Sequence, residues 1–476
     1  MNTRLIIKNA TALGISGFVA KAITAVVGIV VTRYLGPAAY GDYSAANAYV
    51  GTIILFAELG ISQYMVQEGS RNLAVLPRYF GSTLLVKTTL CVVCYLLMLA
   101  LMFPAGYSST VKTLIVIAGL GVCFNALNQS VYNYYQAVQK LYLAAWFQFL
   151  TTFLIAVLTV IVLMAGLGVV EITFTHLLTY VIISVLLYLA LRKEVKPEFQ
   201  IRGLSTTIKK ALPFGIHRIF YYMFAQLSIL VLSLITTNVD VGIYSAAYKL
   251  ILILIFIPSL MTSAVYPVLY QLGVSDTSKH RDIVEKMFKV LAAVGIAGST
   301  LIFVLAEPLV VWLYDGKFND SVPILMIVTW LLAFECMSFA LGDVLTTTNR
   351  QWQRTVIQGC ALAILFALIV ALYPSLGIYG AAYAVILVEG FIFLCYYIIV
   401  RKNVYKIRLL RQLPATGIAA LIMGLCAWAL QSYHPILAAA AAGSVFVVLI
   451  VALDKDFRKI GRYAAAQALQ LLHIKK

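Results

Sequence analysis

Charge is what this sequence has least of. Only 11% of its 476 residues are Asp, Glu, Lys or Arg, and the 18 acids are outnumbered by 35 bases. With 62% hydrophobic residues and a mean hydropathy of +0.96, a soluble globule is excluded. Period-two alternation is missing, which argues against a membrane barrel. The apolar runs are instead continuous and about 20 residues long, enough to cross roughly 30 Å of hydrocarbon as helices. Nucleotide-binding loops are missing too: Gly119-x-Gly121 has no strand before it and no phosphate-binding lysine after it. The seven cysteines all fall in apolar runs, and Cys91-x-x-Cys94 has no second Cys or His pair near it. They read as small packing residues, and neither a metal nor a cofactor is expected. Arg4 and Lys8 precede the first apolar run, but that run is too long for a signal peptide and lacks a small-x-small cleavage site. It reads as the first span.

What is present is an all-α polytopic membrane protein of about fourteen transmembrane helices. The expected spans are 9–32, 42–66, 82–104, 113–136, 143–166, 170–191, 211–236, 240–270, 290–307, 322–347, 355–373, 379–400, 414–432 and 435–453. With both termini in the cytoplasm, all but seven of the 35 Lys and Arg lie on the cytoplasmic side. Arg33, Lys112 and Lys317 fall outside, and Lys21, Lys87, Arg218 and Lys249 fall within spans. That bias is the positive-inside rule. The net charge of +17 is therefore an orientation signal with some attraction to anionic lipid, and no nucleic-acid partner is implied.

The chain repeats itself. Gly41-Asp42-Tyr43-Ser44-Ala45-Ala46 returns as Gly242-Ile243-Tyr244-Ser245-Ala246-Ala247, and more faintly as Gly377-Ile378-Tyr379-Gly380-Ala381-Ala382. Tyr135–Lys140 takes the place that Leu345–Arg350 takes later, and Leu167-Gly168-Val169 that of Leu376-Gly377-Ile378. Each copy of the six-residue motif reads as a turn at the membrane surface followed by a helix that starts with small residues, which let helix backbones approach closely. Two pseudo-symmetric six-helix lobes follow, residues 1–191 and 211–400, joined by a basic cytoplasmic linker at 192–210. A C-terminal hairpin at 401–453 and a basic cytoplasmic tail at 454–476, read as an amphipathic helix on the inner leaflet, complete the chain. An even number of spans per lobe inserts both lobes the same way up, with a cleft between them.

Thr32-Arg33-Tyr34-Leu35-Gly36-Pro37 and Tyr40-Gly41-Asp42-Tyr43-Ser44, with Leu59-Gly60-Ile61 and Gln67-Glu68-Gly69-Ser70-Arg71, carry a further message. This run resembles the signature of the polysaccharide-transport (oligosaccharide flippase) branch of the multidrug/oligosaccharidyl-lipid/polysaccharide exporter superfamily. The resemblance implies a flippase in the bacterial plasma (inner) membrane. It would move undecaprenyl-diphosphate-linked oligosaccharide from the inner to the outer leaflet for surface polysaccharide such as O-antigen. Its partners would be that lipid-linked oligosaccharide, membrane lipids and other polysaccharide-assembly membrane proteins. With no ATP motif, energy would come from an ion gradient (H+ or Na+) or from consumption of product on the far side.

Charged side chains inside spans are expensive and call for a reason. Gly14, Gly17, Lys21, Thr24 and Gly28 repeat at 3, 4, 3 and 4 and make one small, polar helix face. Gly215, Arg218, Tyr222 and Gln226 make a similar one, and Lys249 adds a third cation. These groups could replace the water around a diphosphate. Asn125, Gln129 and Tyr132 on the fourth span suit sugar hydroxyls, or else inter-helix hydrogen bonding. The competing reading pairs each cation with an acid, of which Glu58, Glu335, Asp343 and Glu389 are at hand; Lys87, near a span end, is expected to snorkel. Pro258 and Pro267 are expected to bend the eighth span.

Two other functions compete. A cation-coupled multidrug exporter would want carboxylates on its polar faces, where this chain has cations. A membrane glycan polymerase or ligase would want a sizeable external loop with paired acids and bases. The longest here, about 308–321, has only Asp315, Lys317 and Asp320, so no enzyme is expected. The topology is checked by reporter fusions: those after Lys140, Lys210 and Lys402 should read cytoplasmic and one after Asp315 external. A cytoplasmic signal at Asp315 would overturn the fourteen-span arrangement.

Overall fold

A computed structural model describes residues 3–192, 194–199, 204–407, 409 and 413–459. Residues 193 and 200–203 of the linker and 460–476 of the tail lie outside the described residues, as do the surroundings of Gly14. The described chain is helical, with no strand among its residues. Its helices are α1 (Thr3–Ile54), α2 (Ile61–Arg71), α3 (Leu76–Leu101), α4 (Ser109–Ala137), α5 (Leu141–Met164), α6 (Val169–Leu191) and α7 (Leu204–Ile235). There follow α8 (Asn238–Leu254), α9 (Phe256–Ser275), α10 (Thr277–Val304), α11 (Ala306–Tyr314), α12 (Val322–Val328) and α13 (Trp330–Thr347). The last four are α14 (Gln351–Leu376), α15 (Ile378–Asn403), α16 (Pro414–Ala429) and α17 (Pro435–Leu453). Twelve stretches among the described residues are long and apolar enough to cross a membrane, and α16 is a shorter apolar helix.

The first of these stretches, Gly17–Ala57, has 41 residues, about twice what one crossing needs. It contains the two spans expected there, joined differently. The expected surface turn is a single kink, at Gly36 (φ 71°, ψ 176°), and the helix resumes at once through Pro37. A φ of that sign suits glycine, and proline is at ease where a helix begins because its missing N–H has no partner there anyway. The second span also ends early. A short 3-10 turn at Leu55–Ala57 and left-handed residues Leu59 and Gly60 break the helix, and α2 is a separate piece. The eighth span breaks at Pro258 but not at Pro267, which lies inside α9. Pro258 cannot donate to the carbonyl of Leu254, and α8 stops at that residue. Helix α7 begins at Leu204 and α10 at Thr277, both ahead of the apolar cores expected to open those spans.

Packing divides the chain into two units, Met1–Ser245 with Gln358–Ala371, and Ala246–Ile357 with Leu372–Lys476. In the first, α4 packs on α6, α3 and α1, and α1 also packs on α5 and α7. Its core includes Tyr49, whose hydroxyl donates to the Met98 carbonyl at 2.8 Å, and Tyr107, hydrogen-bonded to Ser233 at 2.8 Å. In the second, α13 packs on α10 and α15. The hairpin α16–α17 meets α10 through Ala419, Ala420, Ala427, Ala438 and Ala442. Lys289 of α10 is held beyond the end of α17 by Asp454 at 2.6 Å and Asp456 at 2.7 Å. Burial pushes the Asp454 carboxyl up, but the Lys289 hydrogen bond and the Asp456 N–H outweigh it and leave the group below the usual carboxylate range.

The sequence repeats are physical repeats. Tyr135–Lys140 and Leu345–Arg350 close their helices identically. Gln139 (φ 60°) and Asn349 (φ 59°) are left-handed, and the next N–H reaches back to Tyr135 O at 2.8 Å and Leu345 O at 2.7 Å. Two copies of the six-residue motif touch each other. A Cβ on Gly41 would stand 1.7 Å from the carbonyl oxygen of Asn238, and one on Gly242 1.9 Å from that of Pro37. The Asn238 amide also donates to Asp42. The crossing has no room for any side chain on either strand of the contact. Gly242→Ala should therefore cost about 1–3 kcal/mol by overpacking. Gly28→Ala, with nothing within 4 Å of its Cβ, should be neutral or stabilising by up to about 1 kcal/mol through helix propensity. Thermal unfolding of the purified protein checks both.

Candidate functional site

Helix α1 is exposed on two sides at once. At 3.6 residues per turn, Phe18, Val19, Ala22, Val26 and Val30 form one exposed stripe, with Phe18 58% and Val26 61% accessible. Lys21, Thr24 and Gly28 form another, on roughly the opposite side. The residues between the stripes are half-buried. Nothing comes within 4 Å of a Cβ at Gly17 or Gly28, so the second stripe borders open space. The Thr24 hydroxyl donates to the Ala20 carbonyl at 2.8 Å, so its oxygen is left to act as an acceptor.

Helix α7 shows a simpler pattern. From Gly215 to Ser233 only Arg218 and Tyr222 are exposed. They sit one turn apart, with the guanidinium 5.5 Å from the ring centroid, a cation–π pair. Gln226, half-buried, lies over Gly51 of α1, its amide 3.6 Å from where a Cβ would stand. Arg218 and Lys21 thus belong to helices of one unit that pack on each other. Lys249, half-buried on α8, belongs to the second unit. On α4, Asn125 and Gln129 are half-buried. Tyr132 is buried and its hydroxyl is bonded to Thr151 of α5 at 3.1 Å, the inter-helix role weighed for this face. Asn128, between them, ties α4 to α6 through the Tyr180 carbonyl at 3.1 Å and Ser184 at 2.7 Å.

Lys87 corrects an expectation. It does not snorkel: it is 0% exposed, paired with Glu58 at 2.5 Å, and donates to the Ala126 carbonyl at 3.1 Å. Glu58, considered as a partner for the other cations, is engaged by Lys87. The position of Lys87 near a span end suggested reach to water, but its partner stands at a helix break that the apolar pattern does not reveal. Arg354, in the first turn of α14, is a further cation held in place: its guanidinium lies across Gly342, paired with Asp343 at 3.4 Å and donating to Thr346 at 3.0 Å. Glu335 and Glu389 lie on α13 and α15, which pack on each other. Buried His280 bridges Tyr405 and Thr347, each at 3.0 Å. None of these groups forms a cluster of three or more metal-ligating side chains among the described residues.

The Arg354–Asp343 pair joins a half-buried guanidinium to a buried carboxylate, and losing one partner strands the other. Arg354→Met should destabilise by about 3–5 kcal/mol. Adding Asp343→Leu should restore most of the loss, as read from thermal unfolding of the single and double variants.

A family model described as polysaccharide biosynthesis protein matches residues 6–273, more than half of the chain. No curated protein matches the chain by sequence. Among solved structures, the lipid II flippase MurJ in an inward closed conformation aligns with a TM-score of 0.76 at 15% identity, over 93% of this chain and 99% of that one. An inward-facing multidrug resistance MATE family transporter of the MOP superfamily aligns at 0.66 and 16% identity, over 80% of this chain and 94% of that one. A MOP superfamily transporter from Pyrococcus furiosus, with a binding pocket of reverse polarity, aligns at 0.57 and 15% identity, over 83% and 95%. At such identities the structural likeness speaks for the fold, and the family match, with the signature around Thr32–Ser44, speaks for kinship. The chain belongs to the polysaccharide biosynthesis protein family, and it shares the fold of the MOP superfamily transporters.

Proposed function

We propose that this protein is a flippase. It carries undecaprenyl-diphosphate-linked oligosaccharide units from the cytoplasmic to the outer leaflet of a bacterial inner membrane, by alternating access, for surface polysaccharide assembly. It is a transporter and not an enzyme, with cytoplasmic termini, lobes at 1–191 and 211–400 and H+ or Na+ as coupling ion. The observation that carries this reading is the double exposure of α1. Only one of its two exposed stripes can face lipid, and the apolar one of Phe18, Val26 and Val30 suits hydrocarbon. The stripe of Lys21, Thr24 and Gly28 then faces a watery cavity, since an exposed cation is costly against hydrocarbon. Arg218 over Tyr222 on α7 follows the same logic, and an arginine stacked on an aromatic ring offers charge to a diphosphate and a flat face to a sugar. Gln226, Asn125 and Gln129 of the same unit add amides, and Lys249 on α8 is a further cation, in the second unit. The kinship with polysaccharide biosynthesis proteins and the fold shared with a lipid II flippase support the substrate class.

The test is movement of a labelled polyprenyl-diphosphate glycan between leaflets of liposomes holding the purified chain. Lys21→Ala and Arg218→Ala should each lower the rate at least about tenfold, equivalent to about 1.4 kcal/mol of lost substrate stabilisation, with undiminished folded protein. Lys21→Arg should recover part of it, because charge is kept while the geometry changes. Normal flipping by both alanine variants would overturn the reading. Transport of cationic drugs in place of the glycan would move the protein to the exporters.

A further inference from the structure

The break after the second crossing is held from two sides. Between the 3-10 turn and α2, Leu59 has φ 38° and Gly60 φ 76°. A leucine in the left-handed region is uncommon and persists only where its surroundings fix it. On one side stands Lys87 of α3, fully buried, which binds the Glu58 carboxylate at 2.5 Å and the Ala126 carbonyl of α4 at 3.1 Å. On the other side the corner lies backbone to backbone on α7. A Cβ on Gly215 would stand 2.5 Å from the carbonyl carbon of Leu59 and 2.6 Å from the nitrogen of Gly60. A Cβ on Gly60 would stand 2.4 Å from the Ala211 carbonyl oxygen. Gly215 is one turn before Arg218 and two before Tyr222. No flexible side chain intervenes between the corner and the helix that carries the exposed cation.

We propose that Lys87 is a positioning residue: by locking Glu58 it fixes the Leu59–Gly60 corner, and through Gly215 the corner sets where Arg218 and Tyr222 stand. The inference rests on the flippase reading only for what Arg218 binds. A purely structural ion pair would stabilise the protein without affecting α7 in particular.

The full chain in detergent separates the two. The informative variant is the double replacement Lys87→Met with Glu58→Met, which removes both charges together and avoids a stranded ion. It should unfold within a few degrees of the native protein. Its affinity for farnesyl diphosphate, used as a probe, should nevertheless fall about tenfold. Adding Arg218→Ala should cost little more, since both changes act on one contact. Lys87→Arg, which keeps the charge, should retain most of the affinity, and Gly60→Ala should lower it as the double variant does. Backbone hydrogen exchange should rise over residues 211–222 of α7 in the double variant, a readout that needs no ligand. Unchanged exchange there, or losses that simply multiply when Arg218→Ala is added, would overturn the proposal. Failure of the native chain to bind the diphosphate would count against the flippase reading, leaving the exchange result to decide the role of Lys87.

Discussion

Close backbone contact at glycine governs this structure, and the crossing of Gly41 with Gly242 is its centre. Inside a bilayer there is little hydrophobic gain from bringing two helices together, so association rests on tight packing and hydrogen bonds. At this crossing the carbonyls of Asn238 and Pro37 occupy the space where side chains would stand. That explains why the same small-residue motif occurs in both places: each copy makes room for the other. Further along, Gly51 receives Gln226 and the Gly60 corner receives Gly215. Helix α7 is thereby laid along the second half of α1, and its only exposed residues between Gly215 and Ser233 are Arg218 and Tyr222.

The charges inside the spans divide by the same geometry. Where packing is tight they are paired: Lys87 with Glu58, and Arg354 with Asp343. Removing either partner would leave an ion in a medium that cannot solvate it. Where packing is open, as along the Lys21 stripe and at Arg218, the cations are exposed. On the proposed function the ion pairs at Lys87 and Arg354 hold the frame, and the exposed Lys21 and Arg218 are the groups offered to an anionic headgroup.

Much of this was legible in advance, and the particulars show why. The match of Tyr135–Lys140 with Leu345–Arg350 was visible as sequence, and both segments prove to be the same left-handed helix cap. The bend at Pro258 followed from a missing N–H. The polar stripe of Lys21, Thr24 and Gly28 followed from helical spacing. The fate of Lys87 did not, because its partner is 29 residues away at a break with no proline to announce it. The pairing of Arg354 was hidden for a related reason: Gly342, which makes room for the guanidinium, is separated from it by a full helix end and turn.

By itself, then, the sequence determined the class, the orientation bias, the helical crossings and the repeats, because each depends on composition or on spacing along the chain. Hydrocarbon tolerates only helices or closed barrels, and continuous apolar runs choose between them. Only the tertiary structure decided which cation is buried and which is open, that the expected turn at Gly36 is a kink, and that α7 is seated on the Leu59–Gly60 corner. Those outcomes depend on which backbone atoms meet within a few ångströms across distant segments, and helical periodicity does not encode that.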